Sequence, residues 1–203
     1  MRRSSSLRHT SAVLLLLGDL GAGASSGVVI KEPQYGFSFT LPFNWKLVPL
    51  NGSDVTALLN AATHDDPALT SALNGEITSA TSKGIKVFAI GPVVGSTVPN
   101  VNVIVTSSAG GPTGSAFAQA AVAEAKIEYT ELGASHIKTS VVRNRLGISG
   151  QATYELNLKN VGPQFGAQYY VQHKSYVEIV TVTTSNLASS QSDARLIVGS
   201  WRW

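Results

Sequence analysis

The residue types best suited to chemistry fall at His64-Asp65-Asp66, at His136 and His173, and in the segments Gly110–Ser115 and Gly147–Gln151. The first sets an imidazole beside two carboxylates. Adjacent side chains diverge, however, and no second histidine or carboxylate stands at i+4 to complete a metal set. A polar loop in which Asp66 caps the next helix accounts for it. His136 and His173 sit at a strand start and a turn. If their strands are neighbours they form a two-ligand metal site with Glu155 or Glu178; two solvated histidines are the plainer reading. The loop GGPTGS at 110–115 follows a strand and opens a helix, where backbone amides can hold an anion. It lacks the Gly-Lys-Ser/Thr ending of a phosphate loop and reads as a loop with a helix cap.

Nucleophilic catalysis has no better footing. Gly147-Ile148-Ser149-Gly150-Gln151 lacks the final glycine of a nucleophile elbow, and Ser115 falls at a cap. No Ser-His-Asp set stands out, so no catalytic residue and no cofactor are expected. Asn51-Gly52-Ser53 matches a glycosylation sequon, but its Asn-Gly pair is also a turn signal. Trp45 and Trp201 read as core, whereas Trp203 is expected to be exposed and is the candidate partner contact.

The elements that must position these residues follow from hydrophobic period. In GFSFTLPFNWKL (36–47), Phe37, Phe39 and Leu41 share one strand face, and Trp45 and Leu47 continue after a turn. Ser25–Glu32 reads as a small-residue lead-in. Asp54 and Asp66-Pro67 open two helices, the second anchored by Leu69, Leu73 and Ile77 and stopped by Gly84. KVFAIGPVVGSTVPNVNVIV (86–105) is strand, loop and strand, with Val101, Val103 and Val105 alternating. Thr113 or Ser115 caps a helix ending at Gly133, whose inner stripe is Ala118, Ala121, Val122, Ala125, Tyr129 and Leu132. Three or four long strands follow, with a hairpin at His173-Lys174-Ser175. Ser189–Trp201 then closes the chain as a helix that faces Leu196, Ile197 and Trp201 inward. This order predicts an α+β fold, a three-layer α/β/α sandwich around a mainly antiparallel sheet.

Composition narrows the setting. Of 203 residues, 43% are hydrophobic and 13% charged, which excludes disorder and fits one domain. Met1–Ala24 reads as a secretory signal peptide. Arg2, Arg3 and Arg8 precede the apolar run Ala12–Leu17, and Ala22-Gly23-Ala24 fits cleavage between Ala24 and Ser25. Losing three cations and Asp19 with that segment takes the formal charge from +3 to +1. The remaining Lys and Arg form no run, so no nucleic-acid partner is expected. The apolar run is too short to span a membrane. With no cysteine there is neither a disulfide nor a lipid-anchoring thiol. The expected division is 1–24 signal peptide, 25–34 lead-in and 35–203 a single domain.

GFSFTLPFNW near the expected mature start, the strand PNVNVIV before the long helix, QATYELNL and RLIVGSWRW together resemble the PsbP-like and Mog-like superfamily. The similarity looks closest to the LpqN-type exported proteins of actinobacteria and covers roughly Tyr35 to Trp203. The resemblance implies a non-enzymatic fold: relatives include a photosystem II subunit, a Ran-binding transport factor and envelope lipoproteins. Export is incompatible with the Ran-binding role, and the absence of cysteine departs from the lipoproteins. The expectation is an exported, non-catalytic binding or accessory protein of the bacterial envelope or extracellular space, its partner a protein or small molecule. Two alternatives stand beside it: a carrier of a small apolar ligand held between the sheet and the Ser115–Leu132 helix, and a serine hydrolase using an unrecognised Ser and His.

Overall fold

The computed structural model describes residues 27–50, 59–61, 63, 67–82, 84–95, 97–108, 110–158 and 162–203. In chain order the elements are β1 (Val29–Glu32), β2 (Phe37–Thr40), β3 (Lys46–Leu47), α1 (Pro67–Ser82), β4 (Ile85–Ile90), β5 (Asn100–Ser107) and α2 (Gly114–Glu131). Then follow β6 (Ser135–Asn144), β7 (Gly147–Leu158), β8 (Gly162–His173), β9 (Tyr176–Thr184) and α3 (Leu187–Gly199). Seven strands form one antiparallel sheet in the order β3-β4-β5-β9-β8-β7-β6, and β1 pairs with β2 in a separate hairpin.

Period-2 alternation splits the sheet into two unlike faces. On one, Ile85, Phe88 and Ile104 meet Leu73 and Ile77 of α1, while Ala152, Tyr154 and Tyr170 meet Ala121, Ala125 and Tyr129 of α2. On the other, Val87, Val101, Val103, Val180, Val182 and Tyr169 pack against the β1–β2 hairpin and against Ala194, Ile197 and Trp201. The result is the expected α+β three-layer sandwich, with a β-hairpin sharing the third layer.

The α2 layer lies flush on the sheet. Gly150 on β7 has no side chain to hold the helix off: a Cβ there would meet Val122 Cγ1 at 2.7 Å and the Ala118 carbonyl oxygen at 2.9 Å. Tyr129 stacks on Tyr154 at 3.8 Å and donates to Gln168 Oε1 at 2.6 Å; Gln168 Nε2 in turn donates to Thr181 Oγ1 at 2.8 Å. Around Gly150 the alanine stripe of α2 thus packs tightly on the strand, with helix and sheet in close approach.

Several boundaries differ from expectation. Val29–Glu32 is a strand rather than a lead-in, its Ile30 buried beneath the aromatic layer. Thr113 holds the N-cap position of α2 by its extended backbone, but its side chain makes no capping bond. Helix α3 starts earlier, where Asn186 Oδ1 accepts the Ser189 amide at 2.8 Å, and it ends before Trp201. Leu196 does not face inward but is 44% exposed. Asp54 and Asp66 lie outside the described residues.

Candidate functional site

Because α3 packs over β8 and β9 but not over β6 and β7, the polar faces of those two strands form the floor of a groove beside the helix. Its volume is about 710 Å³, with Val142, Asn144 and Gln151 along the floor and Gln191, Arg195 and Gly199 along the helix wall. Tyr169 sits at the back, buried, its phenol oxygen accepting from Gln151 Nε2 at 3.0 Å. Burial pushes the Tyr169 phenol up, while the nearby Arg195 guanidinium and the Gln151 bond pull it back. Arg145 stands at the near end in the turn joining β6 to β7. That turn is fixed from inside: Asn144 Oδ1 accepts the Leu146 amide at 2.9 Å, Asn144 Nδ2 donates to Ser149 Oγ at 3.2 Å, and Leu146 is buried. Gln191 also borders a second depression of about 250 Å³, reached by His136, Lys138, Glu155 and Leu187.

A different arrangement occupies the same sheet face near the β8–β9 turn. Glu178 is 0% exposed, and neither carboxylate oxygen has a hydrogen-bond partner among the described residues. Burial raises its pKa to about 7; the backbone amides of Glu178 and His173 oppose this without closing a hydrogen bond. His173 Nε2 and Trp201 Nε1 are likewise buried without a partner. Burial, and then the charge of Lys174, hold the His173 imidazole below its ordinary pKa. Trp203 covers this imidazole face to face at 3.9 Å and meets Trp201 edge-on at 5.7 Å. As expected, Trp45 and Trp201 are core and Trp203 is the exposed tryptophan, at 39%.

The two candidate metal histidines do not meet, because β7 lies between β6 and β8. Each keeps one of the expected carboxylates near. His136 Nδ1 lies 2.8 Å from Glu155 Oε2, and His173 and Glu178 face the same side of adjacent strands. Among the described residues, no group of three or more His, Asp and Glu side chains is placed to hold a metal ion.

Ser135 Oγ lies 3.3 Å from His136, which completes a serine, histidine and carboxylate in outline only. Both partners address Nδ1. A relay needs the acid on one ring nitrogen and the nucleophile on the other, so this trio cannot activate Ser135. The His136 side chain is 78% exposed, and its φ of 53° marks the bulge between Ser135 and Lys138 that turns it outward.

Two of the remaining sequence candidates fall among the described residues. Ser149 is a buried strand residue accepting from Asn144, not an elbow nucleophile. Gly110–Ser115 is an exposed lead into α2. Ala24, Ser25, His64-Asp65-Asp66 and Asn51-Gly52-Ser53 lie outside the described residues. Sequence reading missed Arg145, Gln151, Tyr169, Gln191 and Arg195, which come from a turn, two strands and a helix and share no spacing signal. An apolar hollow of about 620 Å³ also lies around Phe43, Trp45 and Val93, beside β3. Among the described residues no helix is long and apolar enough to cross a membrane.

No family model and no curated protein matches the chain. Its likenesses are structural. Cyanobacterial PsbP (CyanoP) from Synechocystis is similar with a TM-score of 0.51 at 13% identity, over 92% of this chain and 98% of that one. LpqN of Mycobacterium tuberculosis, described as involved in cell envelope biogenesis, has a TM-score of 0.48 at 12% identity, over 86% and 83% of the two chains. A Bacteroides thetaiotaomicron protein has a TM-score of 0.47 at 11% identity; 87% of this chain is covered, but only 48% of that one, so the chain spans about half its length. Near-complete mutual coverage with CyanoP, on a seven-stranded antiparallel sheet with the expected layers, shows that the fold is the PsbP-like one anticipated from the sequence.

Proposed function

We propose that the protein is an exported, non-catalytic recognition protein of the bacterial envelope or extracellular space. The observation that carries this reading is the groove beside α3. It is open and of ligand size, and it is lined by guanidinium, amide and phenol groups. Such groups orient and hold a bound molecule; the lining contains no nucleophile set against a base. The leader-like Met1–Ala24 segment supports export. Trp203, half exposed and stacked on His173, is proposed as a further contact.

The test has two arms. The full chain, expressed with its own N-terminus, should be recovered outside the cytoplasm with Ser25 as its first residue. The recovered protein should carry a bound molecule or partner in native mass spectra and turn over none of a panel of esters and glycosides. Retention in the cytoplasm, or turnover that follows the protein through purification, overturns the reading.

A further inference from the structure

We propose that Arg145 and Arg195 form a two-guanidinium site for an oxyanion, carboxylate or phosphate, carried on a hydroxyl-bearing body of one or two sugar rings. The inference rests on the reading of the groove as a recognition surface and names what it takes.

Three observations converge. First, both arginines line the groove, and among the described residues its lining contains no Asp or Glu and neither arginine is ion-paired. An arginine fork without a carboxylate has its bidentate donors free for an incoming oxyanion. Second, both are carried on fixed supports. Arg145 rides on the turn held by Asn144 and the buried Leu146, and Arg195 on a helix anchored by buried Ala194, Ile197 and Val198. The backbones that carry the charges are therefore placed before a ligand arrives, which lowers the ordering cost of binding. Third, the rest of the lining suits hydroxyls. The Gln191 side chain makes no hydrogen bond among the described residues, and Gln151 uses one amide hydrogen on Tyr169 and keeps its carbonyl oxygen. Val142, half-buried on the floor, offers a short apolar patch for a ring face.

The floor's charge supports the same class. From Ser135 to Ile148 the chain carries no acidic residue, and Lys138 and Arg145 are the cations beside the floor, Arg143 facing the α2 side of the sheet, although the chain from Ser25 onward is nearly balanced. Glu155 lies in the neighbouring depression and is engaged by His136, so it does not neutralise the arginines. The site therefore favours anions at the Arg145–Arg195 end, with the ring directed toward Gln191.

The experiment is a titration of the full-length ¹⁵N-labelled chain, followed through arginine Nε–Hε and backbone amide resonances. Glucuronate and glucose 6-phosphate are the charged probes, glucose is the uncharged control and inorganic phosphate the bare anion. Saturable shifts at Arg145, Arg195 and Gln191 are expected with both charged sugars, with phosphate weaker and glucose silent. The stronger of the two charged sugars identifies the anion. Arg145→Gln and Arg195→Gln should each weaken binding about tenfold or more, and Arg195→Lys should recover only part of it. Equal response to glucose, shifts confined to lysines elsewhere, or variants that bind like the parent would overturn the site. Those outcomes leave export and the absence of turnover untouched, so the wider reading fails only on its own test.

Discussion

The two helices that flank β8 meet the same sheet on opposite faces and treat it in opposite ways. Helix α2 lies flush over β6, β7 and β8, with Gly150 admitting its backbone and Tyr129 tied into the Gln168–Thr181 network. Helix α3 covers only β8 and β9 and leaves a groove over β6 and β7. Beneath α2 the polar groups of that network satisfy one another. On the α3 face the Glu178 carboxylate, His173 Nε2 and Trp201 Nε1 are buried without partners among the described residues, and Arg145 and Arg195 stand unpaired among them; on the α2 side Gln172 Oε1 is left so as well. A buried polar group without a partner costs stability, so such groups gather where structure serves something other than packing. The closed face keeps the fold; the open face is where recognition is to be sought.

This contrast can be broken at either face. The largest effect belongs to Glu178. Below pH 4.5 both folded and unfolded chains hold its proton, and the residue adds no charge-linked cost. Between 4.5 and about 7 only the unfolded chain releases it, so stability falls as pH rises and stays lowered above that. Glu178→Gln should therefore gain ~3 kcal/mol relative to the parent on going from pH 4 to pH 8. His173 works the other way: its imidazole is disfavoured as a cation in the folded state, so it lowers stability as pH drops below 6.5. Chemical denaturation across that range measures both, and a flat difference curve for Glu178→Gln would remove the open-face half of the contrast.

Next in size is Gly150→Ala, where the added methyl meets a helix carbonyl that cannot swing aside. A loss of about 2 kcal/mol is expected. A neutral result would mean that α2 can lift and that its interface is not closed. Tyr129→Phe removes one donor to Gln168 while Tyr170 continues to donate to the same oxygen, so a smaller loss of about 1 kcal/mol should appear in thermal melts. Smallest is Arg195→Gln, expected to change stability by less than about 0.5 kcal/mol because its side chain is exposed and unpaired among the described residues. A large loss there would make Arg195 part of the packing and count against its role in binding.

Much of this architecture was legible in the chain because it rests on period. Val101, Val103 and Val105 alternate so regularly that their burial follows from the strand pleat, and Ala118, Ala121 and Ala125 mark the inner stripe of α2 at helical spacing. Val29–Glu32 escaped because Lys31 and Glu32 mask a strand in which only Ile30 is buried. Leu196 misled because the α3 stripe turns through Ala194, Ile197 and Val198 and leaves the larger leucine in solvent. The pairing of His136 with His173 depended on strand order, which alternation does not encode. The groove was illegible for a related reason: Arg145 and Arg195 lie fifty positions apart in a turn and a helix, and only the packing of α3 beside the β6–β7 wing brings them to one hollow.

Helix α3 leads into one more consequence, through the segment that follows it. Arg202 exchanges both backbone hydrogen bonds with Ser38, at 2.9 Å each, and Trp201 stacks on Phe37 and Phe39. The Thr40 amide donates to Ser200 Oγ at 2.9 Å across a separation of 160 residues. The β1–β2 hairpin thus acquires its aromatic cover from residues synthesised long after it. Contacts this distant in sequence form late, because a long loop must close before they contribute. The aromatic stack of Phe37 and Phe39 is therefore completed only when Trp201 is in place. That side of the sheet therefore closes only once residues from both ends of the fold have met.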